Sequence, residues 1–276
     1  MENSNKGRLY VVATPIGNLE DITLRALNVL KSVDIIAAED TRHTLKLLNH
    51  FEISKPLISC HRHNEDNKSL ELIEKIKSGQ DVAIVSDAGT PGISDPGEEL
   101  IKQCIENNIE VIPIPGACAM INALICSGLD TKSFCFLGFL PLNKKLRKNK
   151  LIEIEECKKT VILYEAPHKL KSTLIDLKDI LKNRKIVLAR ELTKIHEEFI
   201  RKDIDELINI AENIKGEIVI VIEGNNNKDD ENRFDNLTLE EHYKLYEDEG
   251  YTKKDIIKKI AKDRNVNKNE IYKNFI

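Results

Sequence analysis

The stretch from Val82 to Gly97 reads VAIVSDAGTPGISDPG, a short apolar run followed by a loop rich in glycine and proline. The apolar run is typical of a buried strand, and a helical pattern resumes after the loop. Ligands of open α/β sheets bind at the carboxyl ends of strands, where glycines let the backbone approach them closely. Two carboxylates and no lysine disfavour a polyphosphate and favour a cationic ligand without phosphate. The alternative is a plain connector in which Asp95 caps the next helix.

Outward from this stretch, residues 8–127 alternate short apolar runs with amphipathic segments. This alternation predicts an α/β domain with a mostly parallel sheet covered by helices. The predicted strands are Leu9–Ala13, Ile35–Ala38, Pro56–Ser59, Val82–Val85 and Val111–Ile114. The predicted helices are Ile22–Ser32, Thr41–Asn49, Asn67–Ser78 and Pro96–Asn107. Gly79 marks the end of the third helix.

A second series of the same kind begins near Phe134 and predicts another α/β layer. Its strands are predicted at Ser133–Gly138, Thr160–Tyr164, Lys185–Arg190, Glu198–Lys202 and Glu217–Ile222. Its helices are predicted at Lys145–Cys157, His168–Leu181 and Ile204–Asn213. Arg190 and Glu198 are too close in sequence to enclose a crossover helix, so this layer has antiparallel character.

The rest of the chain divides into a linker and a helical tail. Gly224 to Asn232 contains no apolar residue, which is typical of a flexible linker. In the tail, Thr238 and Glu241 match a capping box, Gly250 ends that helix, and Asn267 caps the last of three helices. The predicted units are therefore two α/β domains at 1–127 and 128–224, a linker at 225–235, and a helix-turn-helix-like tail at 236–276.

Composition limits the classes of function. The net charge of −4 means that any nucleic acid must be bound by local basic patches. No apolar run approaches about 18 residues, and the first residues have no apolar signal core, so we expect a cytoplasmic protein with no membrane role. The six cysteines form no C-x-x-C pair and are expected to be buried, reduced thiols rather than metal ligands.

Four further loops follow predicted strands: Thr14–Asp21, Ala38–Arg42, His61–Glu65 and Pro115–Ala119. Because parallel strands end at the same edge of a sheet, we expect these loops to border one crevice. The alternatives are plain turns, helix capping with an ordinary ion pair at Ala38–Arg42, and a solvated polar loop at His61–Glu65. A metal site at His61–Glu65 is disfavoured because no distant partner ligand is evident.

The same loops, with two later motifs, occur in the order found in a known family. The motifs are TPIGNLEDIT from Thr14, AEDTR from Ala38, HNE from His63, the Ser86–Gly97 loop, YEAPH from Tyr164, ARELTK from Ala189, and HEE from His196. Together they resemble the ribosomal RNA small subunit methyltransferase I family, a branch of the tetrapyrrole methylase superfamily. The resemblance spans about Arg8 to Gly224, with a looser match in the tail.

The resemblance implies two α/β domains with S-adenosylmethionine bound between them, a homodimer, and 2′-O-methylation of a cytidine ribose in 16S ribosomal RNA near the decoding centre. By motif position it also implies a set of donor contacts. These are Pro15, Ser86, Asp87, Thr90, Ala117, Cys118, Tyr164, Glu165, Leu192, Gly216, Glu217 and Ile218.

A ribose 2′-hydroxyl is a poor acid, so a base or a charge-stabilising group is expected near the acceptor. The charged strand-end residues are the candidates for this catalytic role: Glu39, Asp40, Arg42, His63 and Glu65. Two basic segments are candidates for phosphate binding, the first containing Lys144, Lys145, Arg147 and Lys148 and the second Lys253 and Lys254. The alternative for both segments is a solvated helix face.

Two other functions are consistent with the same pattern. One is methylation of a tetrapyrrole or another small molecule, although such an enzyme needs neither the basic segment nor the helical tail. The other is a non-catalytic RNA-binding assembly factor that retains the pocket. Donor binding followed by methyl transfer to small ribosomal subunits distinguishes all three.

Overall fold

The computed structural model of the chain describes residues 6–225, 234, 237–264 and 266–275. The residues up to Gly224 form one compact unit, and those from Asn225 onward form another. Most of the predicted linker, residues 226–233 and 235, lies outside the described residues. Within the described part of the chain, no helix is long and apolar enough to cross a membrane.

The first half of the larger unit is built on a five-stranded sheet. Its strands are β1 (Leu9–Val12), β2 (Ile35–Ala38), β3 (Leu57–Ser59), β4 (Val82–Val85) and β5 (Val111–Ile114). They lie in the order β3-β2-β4-β1-β5, and every neighbouring pair is parallel. The predicted parallel sheet and all five of its strands are thereby confirmed, with shifts of one residue at the ends of β1 and β3.

Helices cover both faces of this sheet, which is why its strands are apolar throughout rather than alternating. The helices are α1 (Leu24–Ser32), α2 (Thr41–His50), α3 (Glu65–Lys77) and α4 (Glu98–Glu106). Leu9 and Ile84 pack with Leu72 and Leu100 of α3 and α4 on one face. Residues of α1 and α2 pack on the other face.

The second half is built on another five-stranded sheet. Its strands are β6 (Phe134–Phe139), β7 (Thr160–Glu165), β8 (Ile186–Arg190), β9 (Glu198–Arg201) and β10 (Ile218–Ile222). They lie in the order β6-β7-β10-β8-β9, and only β6 and β7 are parallel. The predicted antiparallel character is confirmed, because β8 and β9 form a hairpin that leaves no room for a crossover helix.

One helix of this unit was absent from the sequence prediction. Helix α5 (Ala119–Ser127) reads AMINALICS and is apolar nearly all round, so it lacks the periodicity that indicates an amphipathic helix. Ala123 and Leu124 pack against the second sheet, in one cluster with Ile162 and Val219. The helix that follows the first sheet therefore covers a face of the second and joins the two halves.

The remaining helices of the larger unit are α6 (Lys144–Glu156), α7 (Pro167–Leu181) and α8 (Ile204–Ile210). They cover the other face of the second sheet, where Leu163 and Leu188 pack with Leu170 and Leu174. Cys60 and Cys104 are buried free thiols, as predicted, whereas Cys126 is exposed on α5.

The smaller unit contains α9 (Leu239–Asp248), α10 (Lys253–Asp263) and α11 (Lys268–Tyr272). The capping box of Thr238 and Glu241 is present, and the Asn267 side chain accepts a hydrogen bond from the Asn269 N–H. Ile256, Ile257 and other apolar side chains form the core of this unit. The three predicted tail helices and their caps are confirmed.

Arg184 is a buried cation that links three segments of the second half. Its Nε donates to the Glu223 carbonyl at 2.6 Å, and another guanidinium nitrogen donates to the Ile154 carbonyl at 2.9 Å. Replacing Arg184 with Ala removes both of these buried hydrogen bonds, so we expect a loss of about 2–4 kcal/mol in unfolding free energy. Denaturant unfolding tests this, with exposed Arg25→Ala as the control expected to change stability by less than about 0.5 kcal/mol. Equal effects of the two substitutions would contradict the prediction.

Candidate active site

The loops after β1 and β4 leave the first sheet side by side because these strands are parallel neighbours. Thr14 N donates to the Gly89 carbonyl at 2.8 Å, and Gly89 N donates to the Thr14 carbonyl at 3.1 Å. The Thr14 hydroxyl donates to the Ser86 carbonyl at 3.2 Å. Gly89 has a φ of 83°, a left-handed conformation that favours glycine. Backbone pairing therefore fixes the two predicted ligand loops against each other.

These loops face a cavity of about 540 Å³ between the two halves of the larger unit. Its volume lies within the range of small-molecule sites. The lining residues are Ile16, Ala88, Gly89, Thr90, Ile93, Ser94, Asp95, Cys118, Ala119, Phe139, Tyr164, Glu165, Ala166, Pro167, Glu191, Lys194, Gly216, Glu217, Ile218 and Val219. We call this space the main cavity.

A second cavity of about 290 Å³ is also lined by residues of these loops. It is lined by Thr14, Pro15, Gly17, Leu19, His43, Lys46, Leu47 and Asp87. Neighbouring residues point to different cavities: Ile16 lines the main cavity whereas Pro15 and Gly17 line the second, and Ala88 lines the main cavity whereas Asp87 lines the second.

The main cavity brings together seven of the residues that the family resemblance implies as donor contacts. They are Thr90, Cys118, Tyr164, Glu165, Gly216, Glu217 and Ile218. Pro15 and Asp87 line the second cavity instead. Ser86 and Leu192 are buried and line neither cavity, and the Ala117 carbonyl accepts a hydrogen bond from the Thr90 hydroxyl at 3.2 Å.

Several lining residues were missed by sequence reasoning, including Ile16, Phe139, Glu191 and Lys194. Ile16 lies in the quoted motif that starts at Thr14, but nothing in the sequence showed that its side chain faces the cavity, and Phe139 looks like an ordinary apolar strand position. Glu191 and Lys194 belong to a quoted motif, and their charge at the end of a strand was the available signal.

A charged network forms the wall near β8 and β10. Glu191 Oε1 accepts hydrogen bonds from the Lys194 ammonium and the Glu217 N–H, both at 3.0 Å. The Glu217 hydrogen bond, ahead of Lys194, lowers the pKa of the Glu191 carboxyl. Gly216 has a φ of 90°, and a Cβ there would lie 2.3 Å from the Glu191 carboxyl carbon. The absence of a side chain at Gly216 is what lets Glu191 reach this position.

Asp95 lies on the main cavity rather than at a helix cap. Burial, followed by the nearby Glu39 carboxylate, raises the pKa of Asp95 to about 6. The alternative in which Asp95 caps the following helix is wrong, because α4 begins after Gly97 and its cap comes from another element. The wall of the cavity thus contains a half-buried carboxyl group with no capping role.

Glu65 supplies that cap. Its Oε1 accepts the backbone N–H groups of Gly97 at 2.8 Å and of Glu99 at 3.1 Å. A carboxylate at a helix N-terminus is also favoured by the helix dipole. Glu65, a predicted catalytic candidate, is therefore engaged in fixing the end of the Ser86–Gly97 loop.

We expect Glu65→Ala to lower the free energy of unfolding by about 1–2 kcal/mol, because α4 loses its acceptor. Glu65→Gln retains a carbonyl oxygen at the same place and is expected to lose less than half as much. Thermal and denaturant unfolding of the two variants measure this difference. An equal loss for both substitutions would show that charge, and not hydrogen bonding, is what matters at this position.

The other catalytic candidates occupy different surroundings. Asp40 caps α2, and its carboxylate pairs with Arg42 at 2.8 Å, so the capping and ion-pair alternative holds for these two residues. His63 is exposed. Glu39 is half-buried, and burial followed by the Asp87 carboxylate raises the pKa of the Glu39 carboxyl. Glu39 is thus the candidate whose environment favours holding a proton.

The predicted RNA-binding residues of the first basic segment lie on α6. Lys144, Lys145 and Lys148 are exposed, whereas the Arg147 side chain is only 18% exposed and pairs with Asp176 at 2.7 Å. In the smaller unit, Lys253 and Lys254 are exposed at the start of α10.

Comparisons with known proteins agree with this fold. Residues 8–208 match the family of tetrapyrrole (corrin/porphyrin) methylases. A ribosomal RNA small subunit methyltransferase I of Halalkalibacterium halodurans is 50% identical over 275 residues, covering 98% of this chain and 95% of the relative. The protein of the same name from Bacillus subtilis is 49% identical, covering 98% of this chain and 94% of the relative.

Among solved structures, uroporphyrin-III C-methyltransferase from Thermus thermophilus complexed with S-adenyl homocysteine has 14% identity and a TM-score of 0.58. The match covers 79% of this chain and 97% of that one. The fold and the cavity at its strand ends define the class, which is a methyltransferase of the tetrapyrrole methylase type that takes its methyl group from S-adenosylmethionine. Within that class, the chain belongs to the ribosomal RNA small subunit methyltransferase I family.

Proposed function

We propose that the chain transfers a methyl group from S-adenosylmethionine to the 2′-hydroxyl of a cytidine ribose in 16S ribosomal RNA, near the decoding centre. The observation that carries this proposal is the near-complete match to relatives named for the small subunit RNA. A cavity of suitable size at the strand ends of the fold supports it. Action in the cytoplasm, as a homodimer, on 16S RNA or the small ribosomal subunit is part of the same proposal.

The residues of the main cavity fit a cationic donor. Its charged lining consists of four carboxylates, at Asp95, Glu165, Glu191 and Glu217, against the single ammonium of Lys194. S-adenosylmethionine carries a sulfonium and an ammonium against one carboxylate, so an acidic wall attracts it. When bound, it supplies an electrophilic methyl group on the sulfonium.

The apolar part of the lining complements this charge. Ile16, Ile93 and Phe139 come from three different segments and give the cavity an apolar surface. Tyr164 packs edge-on against Phe139 with ring centroids 5.7 Å apart, and its hydroxyl accepts the Met120 N–H at 3.3 Å. We propose that these side chains orient the donor and that positioning supplies much of the acceleration.

Glu39 is the proposed proton acceptor for the ribose hydroxyl. Its raised pKa makes its carboxylate a stronger base than an ordinary glutamate, as general base catalysis near neutral pH requires. Glu39 lies at the end of β2, beside the strand that carries the donor loop. Asp40 and Arg42 instead order the start of α2, and Glu65 orders the start of α4.

The exposed lysines of α6 and of the smaller unit are the proposed phosphate contacts. Lys144, Lys145 and Lys148 face solvent, and among the described residues none of them has an acidic partner within 4 Å. Contacts of this kind bind backbone phosphates without reading sequence, and each lost contact reduces the salt dependence of binding.

The test is methyl transfer to small ribosomal subunits isolated from a strain that lacks this protein. The chain is incubated with labelled S-adenosylmethionine and either subunits or naked 16S RNA, and ribose methylation is mapped by mass spectrometry. We expect one new 2′-O-methylcytidine near the decoding centre. Glu39→Gln is expected to bind donor as the unchanged chain does and to transfer methyl groups at least about tenfold more slowly.

Each other outcome has a clear meaning. Donor binding without transfer to either RNA substrate would favour an assembly factor. Transfer to a tetrapyrrole, with none to RNA, would favour the small-molecule alternative. RNA affinity that does not change with salt concentration would contradict the phosphate contacts.

A further inference from the structure

Arg147 lies in the basic segment of α6, but its side chain turns into the protein. Its Nε pairs with the Asp176 carboxylate at 2.7 Å, and a terminal nitrogen donates to the Thr173 hydroxyl at 2.9 Å. Asp176 and Thr173 both lie on α7, so Arg147 bridges two helices. Its surroundings differ from those of the exposed lysines beside it.

The contacts of Thr173 continue to the main cavity. Its hydroxyl, which is fully buried, donates to Glu165 Oε2 at 2.5 Å. Glu165 is only 4% exposed, lines the cavity, and accepts the Ala166 N–H at its other carboxylate oxygen at 2.8 Å. A continuous series of hydrogen bonds therefore runs from α6 to the wall of the donor site.

Which group donates in each of these hydrogen bonds follows from the chemistry of the side chains. A guanidinium has donors and no acceptor, so the Thr173 hydroxyl must accept from Arg147. A hydroxyl has a single proton, and with Arg147 occupying an acceptor position that proton is directed to Glu165. Without Arg147, nothing holds the hydroxyl in this orientation, and the Oε2 atom of Glu165 loses a fixed donor.

We propose that Arg147 is a positioning residue for the donor cavity, holding the Glu165 carboxylate in place through the Thr173 hydroxyl. This inference rests on the proposed function, since it assumes that the main cavity binds the methyl donor. It assigns different tasks to two faces of α6. Lys144, Lys145 and Lys148 face solvent and the RNA, whereas Arg147 faces inward and sets donor affinity.

The test measures the affinity of the full chain for S-adenosylhomocysteine by calorimetry, without RNA. Thr173→Val keeps the shape of the side chain and removes the hydroxyl, and we expect it to weaken binding about tenfold, equivalent to about 1.4 kcal/mol. Thr173→Ser retains the hydroxyl and is expected to restore affinity to within about twofold. Arg147→Met is expected to weaken binding about as much as Thr173→Val, because both leave the Oε2 atom of Glu165 without a fixed donor while Oε1 keeps the Ala166 N–H.

The converse variant is Lys144→Ala with Lys148→Ala, which is expected to raise the KM for RNA while leaving donor affinity unchanged. Thermal unfolding of each variant shows whether a loss of donor affinity reflects a loss of folded protein. Thr173→Ser keeps the hydroxyl and removes the methyl group, so it separates the effect of the hydroxyl from the effect of packing. Should the unchanged chain fail to bind S-adenosylhomocysteine, the proposed function fails. If it binds and Thr173→Val binds equally well, the proposal for Arg147 is overturned.

Discussion

Gly89→Val is expected to reduce methyl transfer, measured as kcat/KM, by at least about 100-fold, or about 2.7 kcal/mol. Gly89 has a φ of 83°, where a side chain costs roughly 1–2 kcal/mol. A Cβ at this position would lie 3.3 Å from Ile16 Cγ2, so the larger valine side chain crowds Ile16 in the wall of the main cavity. The strain also acts on the backbone pair that joins Gly89 to Thr14.

Gly128→Val is the matched control for this prediction. Gly128 has a similar φ of 81° at the end of α5, but a Cβ there would meet no atom within 4 Å. We expect a comparable loss of stability with donor affinity retained. Calorimetric donor titration and unfolding of both variants separate the two effects. Equal donor affinity in both variants would show that the Thr14–Gly89 pairing does not shape the donor site.

Asp95→Asn is expected to weaken binding of S-adenosylmethionine about tenfold at pH 7.5 and to remove most of its pH dependence. The pKa of Asp95 is about 6, so its carboxylate forms as the pH rises through that value. Affinity for a cationic donor should therefore increase between pH 5 and 7 in the unchanged chain. Calorimetric titration across this range measures the change.

The raised pKa of Asp95 also predicts that the free energy of unfolding depends on pH, in the direction opposite to that of donor affinity. A carboxyl whose pKa is raised on folding stabilises the fold most at low pH, and this contribution is lost as the pH rises from about 4 through about 6. Asp95→Asn should remove this dependence while it weakens donor binding at neutral pH. Glu98→Gln, a change at an exposed carboxylate on α4, is the control expected to alter neither property. Identical pH profiles for Asp95→Asn and the unchanged chain would exclude Asp95 from the site.

Much of the candidate site was predictable because the direction of each strand determines at which edge of the sheet its following loop lies. Parallel strands place their carboxyl ends at one edge of a sheet, so the loops after β1 and β4 had to meet. Sequence alone does not say which way each side chain of those loops points. Ile16 and Pro15 are adjacent in sequence and line different cavities, and the same is true of Ala88 and Asp87.

The roles of several other residues depend on hydrogen-bond partners that are distant in sequence. Glu65 and Asp95 are both carboxylates at loop ends, and the sequence offered a helix cap at Asp95 only as the alternative to a ligand loop. The structure assigns the cap to Glu65, 32 residues before Gly97, and leaves Asp95 on the cavity. Helix α5 was not predicted because it is apolar nearly all round and so lacks an amphipathic pattern. Its residues pack against the second sheet, whose strands come later in the chain.

The sequence of residues 82–97 by itself determined a strand, a glycine-rich loop and a ligand site at the end of a parallel sheet. These features depend on local propensity, strand direction and backbone freedom, all of which are encoded within a few residues. Only the tertiary structure decided which carboxylate lines the main cavity, which one caps a helix, and that Arg147 turns inward to Thr173. Burial and long-range hydrogen bonding determine those roles, because they depend on segments that meet only after the chain has folded.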